Sequence, residues 1–367
     1  MRPSRRPRGA PRTPFIAFAV LISCAFFANA RHSLAIPPTQ TCADSPGPPD
    51  AGAPPATTVC HSTAPLDAYI RQAVWSEGLL WIVDHRGWLA SIDLHAATIE
   101  RHITDAYVTA IFRSSSGALW AATLDWGHRA QARARVRAAD GTESWPVVVD
   151  APTTETDAWL AEFEGASLLG NSSAIFRGAG TTLRKTALGA LLRGPPMPIS
   201  AAVVGQTVYA GTNNGEWGGG LHALSIATGA VQTFGGGLPV PDVVPDIARP
   251  GCVLAAVAYG HALSEEGRVL RACGDEVTTD AEWRLNDRSG LRRSEPVVSI
   301  VPASDGYWAS TPYAVHHRSG TRMETVPYPP FASVCGVEFA RLGPGIMALR
   351  ALGSAPILVA TRVRSGK

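Results

Sequence analysis

Seven times between Leu66 and the end of this chain, a Gly-containing turn is followed by a short apolar strand, often carrying an aromatic. The clearest copies are Gly78-Leu79-Leu80-Trp81-Ile82-Val83, Gly117-Ala118-Leu119-Trp120-Ala121-Ala122-Thr123, Gly205-Gln206-Thr207-Val208-Tyr209-Ala210-Gly211-Thr212 and Gly306-Tyr307-Trp308-Ala309-Ser310-Thr311. Weaker copies begin at Gly165, Gly251 and Gly345. With Trp81, Trp120, Leu168, Tyr209, Leu254, Trp308 and Met347 as anchors, the mean interval is roughly 44 residues, the period of a four-stranded propeller blade.

The flanking segments agree. Val108–Phe112, Ile199–Val203 and Val297–Val301 precede anchors by one turn, as inner strands should; Trp88–Ile92, Gly220–Leu224, Val269–Arg271 and Val231–Phe234 supply third and fourth strands. Helical periodicity is absent, and Gly and Pro interrupt the chain too often for long helices. A two-sheet sandwich would not require seven similar anchors. The expected fold is all-β: a seven-bladed β-propeller of four-stranded antiparallel blades, spanning 65–367. The last blade lacks an outer strand after Pro356–Thr361, so Thr57-Thr58-Val59-Cys60 is expected to pair there and close the ring from the N-terminal side, which removes exposed strand edges.

The stretch 205–212, followed by Leu221-His222-Ala223-Leu224-Ser225-Ile226-Ala227-Thr228-Gly229, resembles a repeat of the quinoprotein-like propellers. Residues 117–123 are similar to the two-component-regulator propeller repeat of bacterial ligand-binding sensor domains. The quinoprotein pattern usually has Asp where this chain has Ser225 and Trp where it has Phe234. The resemblance covers single blades and implies the fold without implying a quinone cofactor.

Before the repeats, Arg2, Arg5, Arg6, Arg8 and Arg12 lead into the apolar run Phe15–Ile22 and then Ala28-Asn29-Ala30. That order of charged, apolar and small residues predicts a secretory signal over 1–30, cleaved after Ala30. The apolar run is shorter than the roughly 20 residues of a spanning helix, so no transmembrane helix is expected after cleavage. Leu21-Ile22-Ser23-Cys24 offers a competing lipobox with Cys24 as the lipidation candidate, although Ala25-Phe26-Phe27 continues apolar instead of polar. Residues 31–64 are rich in Pro and Ala and read as a tether. The expected location is therefore exported: periplasmic, cell-surface or extracellular. Outside the leader, 27 basic groups face 30 acidic ones, so the formal net charge of +2 reflects no basic surface and nucleic acid is not expected as a partner. Hydrophobic residues at 46% with only 17% charged residues exclude a disordered chain.

Export makes disulfides plausible, and losing Cys24 with the leader leaves an odd number of cysteines. Cys252 opens a second strand and Cys273 ends the third strand of the same blade, so antiparallel pairing sets them opposite one another. Cys335 is expected to pair with Cys60 or Cys42, one thiol being left free or paired elsewhere; the alternative for each cysteine is a buried free thiol.

In such blades, the loops between second and third strands emerge on the same face as the connections between blades. Four of them are richer than a turn needs: Asn213-Asn214-Gly215-Glu216-Trp217-Gly218-Gly219-Gly220, Asp125-Trp126-Gly127-His128, Tyr259-Gly260-His261 and Asp84-His85. The ligand-binding candidates are Asp125, Trp126, His128, Asn213, Asn214, Glu216, Trp217, Tyr259 and His261. Trp supplies a stacking surface, and Gly lets backbone approach a ligand. The simpler alternative is an extended turn in which Trp217 packs on its neighbours. His316-His317 is not a ligand pair, because adjacent strand residues point to opposite faces. No nucleophile elbow, zinc-protease helix, phosphate loop or dinucleotide fingerprint occurs. The leading expectation is a non-enzymatic propeller without cofactor that binds a protein, glycan or small ligand on this face. The alternative is a metal-assisted, lactonase-like hydrolase with Ca held by Asp125, Glu216, Asn213 and Asn214.

Overall fold

The structure is a computed structural model that describes residues 69–103, 105–125, 129–152, 158–177, 184–187, 198–234, 237–261, 264–285, 293–343, 345–351 and 354–361. The leader, the tether, Cys24, Cys42 and Cys60 all lie outside the described residues.

Seven antiparallel four-stranded sheets follow one another along the chain. The first holds β1 (Ile70–Ser76), β2 (Leu79–Asp84), β3 (Leu89–Asp93) and β4 (Thr98–His102). The second holds β5 (Tyr107–Arg113), β6 (Leu119–Leu124), β7 (Arg129–Ala134) and β10 (Val147–Pro152), with a small arm, β8 (Val136–Arg137) and β9 (Glu143–Ser144), inserted before its last strand. The third holds β11 (Trp159–Phe163), β12 (Ala166–Gly170), β13 (Ala174–Arg177) and β14 (Arg184–Ala187). The fourth holds β15 (Pro198–Val204), β16 (Thr207–Asn213), β17 (Gly219–Ser225) and β18 (Val231–Phe234). The fifth holds β19 (Asp242–Pro245), β20 (Cys252–His261), β21 (Ser264–Cys273) and β22 (Glu276–Ala281). The sixth holds β23 (Ser299–Ala303), β24 (Gly306–Ser310), β25 (Ala314–Ser319) and β26 (Arg322–Pro327), and the seventh β27 (Ala332–Val334), β28 (Val337–Gly343), β29 (Ile346–Ala351) and β30 (Ile357–Ala360).

The anchor strands are largely apolar because both of their faces are buried. On β2, Leu80 and Ile82 pack toward the seventh blade, whereas Trp81 and Val83 pack toward the second. On β20, Val253 and Ala255 face the fourth blade while Leu254 and Ala256 face the sixth. With a side-chain period of two, each second strand serves two inter-blade cores and so reads as a continuous apolar run. Each interface between neighbouring blades has such an apolar cluster, including the closing one between the seventh and the first.

The seventh blade differs from the expectation. In the first six, the strand nearest the axis comes first in the chain; in the seventh it comes last, since β30 packs against β1 on one side and β23 on the other. The blade is wound inward, and its outermost strand is β27, so the four strands come from 332–360 alone. The closing strand expected at Thr57–Cys60 lies outside the described residues, and Ile357–Ala360 is the inner strand and not the penultimate one. Cys335 and Gly336, with φ of 50° and 82°, form the two-residue turn that folds the short β27 back on β28. Met347 lies on β29, next to the axial strand, so the anchor spacing survives the reversal.

Cys252 and Cys273 sit opposite each other in the β20–β21 register and form a disulfide with Cα atoms 4.3 Å apart. Cys335 is also disulfide-bonded, to a partner outside the described residues. Among the described residues, no helix is long and apolar enough to cross a membrane.

Candidate functional site

Turns between second and third strands do meet the inter-blade connections at one end of the propeller. His85 N donates to Tyr69 O at 2.9 Å, Val108 N to Gly87 O at 3.0 Å, Val240 N to Thr212 O at 2.8 Å and Ala258 N to Pro239 O at 3.0 Å. These bonds tie the loops of the first, fourth and fifth blades to the chain entering the next strand. Among the described residues, the strongly exposed aromatics Tyr69 (58%), Trp217 (83%) and Tyr313 (48%) all stand at this end. The exposed aliphatics do not. Val136 lies in the arm and Val147 follows it, Ile247 is in the β19–β20 turn and Met323 follows the β25–β26 turn, all at the opposite end.

In the fourth blade, Gly215–Trp217 make one 3-10 turn. Asn213 Oδ1 accepts from Gly215 N at 2.8 Å, and Asn214 O from Trp217 N at 3.2 Å. The following glycines have a packing reason: a Cβ on Gly218 would lie 2.8 Å from Gly237 O, and one on Gly219 only 2.1 Å from Thr212 O. They admit neighbouring backbone, where the sequence suggested room for a ligand. Trp217 is left outside this packing, and Asn213 reaches the central channel.

The hairpin of the fifth blade rises beyond its sheet. Strands β20 and β21 pair as far as His261 and Ser264, whereas β19 matches only Val253–Ala256 and β22 only Val269–Cys273. The 3-10 turn carrying Trp217 packs against one side of the hairpin. On the other side, Tyr313 OH donates to Glu265 Oε1 at 2.9 Å, and Arg293 Nη2 donates to Glu265 Oε2 at 2.7 Å. Burial and the Glu265 carboxylate push the Tyr313 phenol up. Trp217, the half-buried Tyr259 and Tyr313 thus belong to one raised wall across blades four to six.

Asp125 Oδ1 accepts from Arg129 N at 2.9 Å in the second blade's loop, while Trp126, Gly127 and His128 lie outside the described residues. Glu216 belongs to the 3-10 turn and His261 ends β20; their side chains are not described. Asp84 is buried, and its Oδ1 accepts from Arg86 N and Trp88 N, both at 2.9 Å, which makes it a turn former. His85 is exposed, edge-on to Tyr69. Among the described residues, no three His, Cys, Asp or Glu side chains are grouped as a metal centre would need. His316 and His317 do point apart: His316 is buried on Trp283 with its Nε2 2.9 Å from Glu295 Oε2, and His317 stacks on Trp308.

A central channel of about 660 Å³ runs between the inner strands. Inner strands of neighbouring blades do not pair, so side chains bridge them. Gln72 Oε1 accepts from Ile111 N at 2.7 Å. Asp242 joins three blades: Ser200 Oγ donates to its Oδ1 at 3.0 Å, and Ile300 N and Ser299 Oγ donate to its Oδ2 at 2.8 and 3.2 Å. Burial pushes the Asp242 carboxyl above its ordinary range despite these donors. Neither these residues nor Tyr69 and Tyr313 stood out in the sequence. Tyr313 is detectable by aligning blades, since it occupies the same turn as Trp217; the channel residues have no local signal.

No protein-family profile and no curated protein matches the chain. Solved structures match in fold. The extracellular domain of a hybrid two-component system from B. thetaiotaomicron is 15% identical with a TM-score of 0.49, over 77% of this chain and 37% of the other, so the chain spans little more than a third of that protein's length. YCF48 bound to D1 peptide is 12% identical with a TM-score of 0.48, over 82% and 94%. The computationally designed Ika8 protein is 10% identical with a TM-score of 0.43, over 82% and 98%. The fold rests on the strand pairing itself: the chain is a seven-bladed β-propeller built from the four-stranded repeats that its blade-level resemblance implies.

Proposed function

We propose that this chain is an exported, non-enzymatic propeller that binds a protein, glycan or small ligand on its loop-rich face, without a cofactor. The observation that carries this reading is the segregation of Tyr69, Trp217 and Tyr313 to one end of the molecule. An indole exposed over 83% of its surface, next to a raised hairpin, has no packing role to explain it. Aromatics of this kind are the usual anchors of binding surfaces. The Cys252–Cys273 disulfide supports an oxidising compartment, where such bonds persist.

Glycan and peptide arrays probed with the purified protein test the binding role. The Trp217→Ala, Tyr313→Ala double variant is expected to lose about 30-fold in affinity for any hit, the scale of a binding hot spot. Its melting temperature should stay close to that of the parent. A large drop in melting temperature would make the loops structural. Turnover of an ester or lactone panel that disappears in Glu216→Ala would instead install the metal-assisted hydrolase. Export has its own test: the intact mass of the secreted protein should correspond to a chain beginning at Arg31, and a diacylglyceryl-Cys24 terminus would replace that prediction with a lipoprotein.

A further inference from the structure

The channel holds charge that nothing in the described chain balances. Among the described residues, every buried or half-buried arginine is ion-paired, as Arg271 is to Asp246 and Arg293 to Glu265, with two exceptions. The exceptions, Arg71 and Arg113, both line the channel. Arg71 stands at the loop-rich mouth, where its Nη1 donates to Tyr107 OH at 2.9 Å. Arg113 stands at the other end, beside the β5–β6 turn, and its Nε is buried with no hydrogen-bond partner among the described residues. Asp242, the acid of the described channel wall, is engaged by Ser200, Ser299 and Ile300.

A half-desolvated guanidinium without a counter-charge is costly unless an anion supplies one. The channel volume is that of a small-ligand site, typically about 300–1,000 Å³. Trp75 and Phe112 provide apolar wall at the Arg113 end. We infer that the channel binds a small organic oxyanion, a carboxylate or phosphate monoester, whose acid group is held by Arg113 beside Trp75 and Phe112 and whose approach is favoured by Arg71. This site is separate from the aromatic wall and does not depend on it.

Calorimetric titration of the full-length protein with benzoate, phenyl phosphate and the neutral benzamide tests the inference. At least one anion should bind saturably and benzamide should not. Arg113→Gln should weaken the anion at least about tenfold, as loss of a charge-assisted bond does, and Arg113→Lys should recover part of it. Arg71→Gln should mainly slow association and flatten its salt dependence. Arg113→Gln should not melt lower than the parent without ligand, because it removes an unbalanced charge. Absence of anion binding, benzamide binding as well as benzoate, or an Arg113→Gln variant with parental affinity would overturn the site. Trp217→Ala should leave anion binding unchanged; a loss there would move the anion to the aromatic wall and equally overturn it.

Discussion

Replacing Arg271 by Leu is expected to destabilise the propeller by about 3–5 kcal/mol, the cost of breaking a buried ion pair from one side. Arg271 lies on the third strand of the fifth blade, 9% exposed. Its Nε meets Asp246 Oδ2 at 2.7 Å, and its Nη1 bonds Asp280. Asp280 also accepts from Tyr307 OH at 2.7 Å and pairs with Arg318 at 3.3 Å, so the cluster ties the fifth blade to the sixth. Burial and the Asp280 carboxylate push the Tyr307 phenol up, which keeps it a donor. Leu at 271 leaves the Asp246 carboxylate, wholly buried, without its cation. Urea denaturation should show the loss as a lower midpoint, and adding Asp246→Asn should recover part of it. A loss below about 1 kcal/mol would mean that water replaces the guanidinium and that the pair adds little to stability.

Acidification should weaken the fold through His222. Burial lowers its pKa from the ordinary 6.5 to about 4. The ring is held neutral between Thr212 Oγ1 at 3.1 Å and Thr233 Oγ1 at 2.9 Å, one imidazole nitrogen donating and the other accepting. As pH falls below 6.5 the unfolded chain takes up the proton, whereas the folded chain does so only near 4. Stability therefore declines across that window, by about 3 kcal/mol from this residue. The measurement is the stability difference between the parent and His222→Gln at pH 7 and at pH 4. It should shift toward the variant by about that amount on acidification, because the other titrating groups are common to both. A difference independent of pH would show that His222 is already charged in the folded state.

The same sign applies at the interface of the first two blades, with a second contribution from a carboxylate. Burial lowers the His102 pKa against the pull of Glu143, 2.6 Å from its Nδ1. Burial alone would raise Glu143, but His102, Arg135 and the Trp145 indole hold it below its usual range. A carboxylate with a lowered pKa contributes stability that is lost as pH falls through that value. Both groups thus make the contact between the arm and the first blade contribute less stability in acid.

What could be read without coordinates was whatever depends on neighbours in the chain. The seven anchors were legible because a strand buried on both faces, such as Leu80-Trp81-Ile82-Val83, cannot hide its composition. The Cys252–Cys273 bond was legible because both cysteines belong to one hairpin, where register follows from the turn. The inward winding of the last blade has no local signal, because its Cys335-Gly336 turn is of the same kind as Glu77-Gly78 and Glu164-Gly165 in outward-wound blades, and only the packing of β30 beside β1 and β23 sets the radial order. The glycines after Trp217 were visible, but their cause, the backbone at 237–239, approaches from a segment some twenty residues later. The channel was not legible at all. Arg71, Arg113 and Asp242 come from three blades and carry no shared motif, and only closing the ring brings them around one axis. The sequence by itself determined the repeat and marked out Trp217; tertiary structure alone decided which charges face one another, because convergence across blades depends on closure and not on spacing.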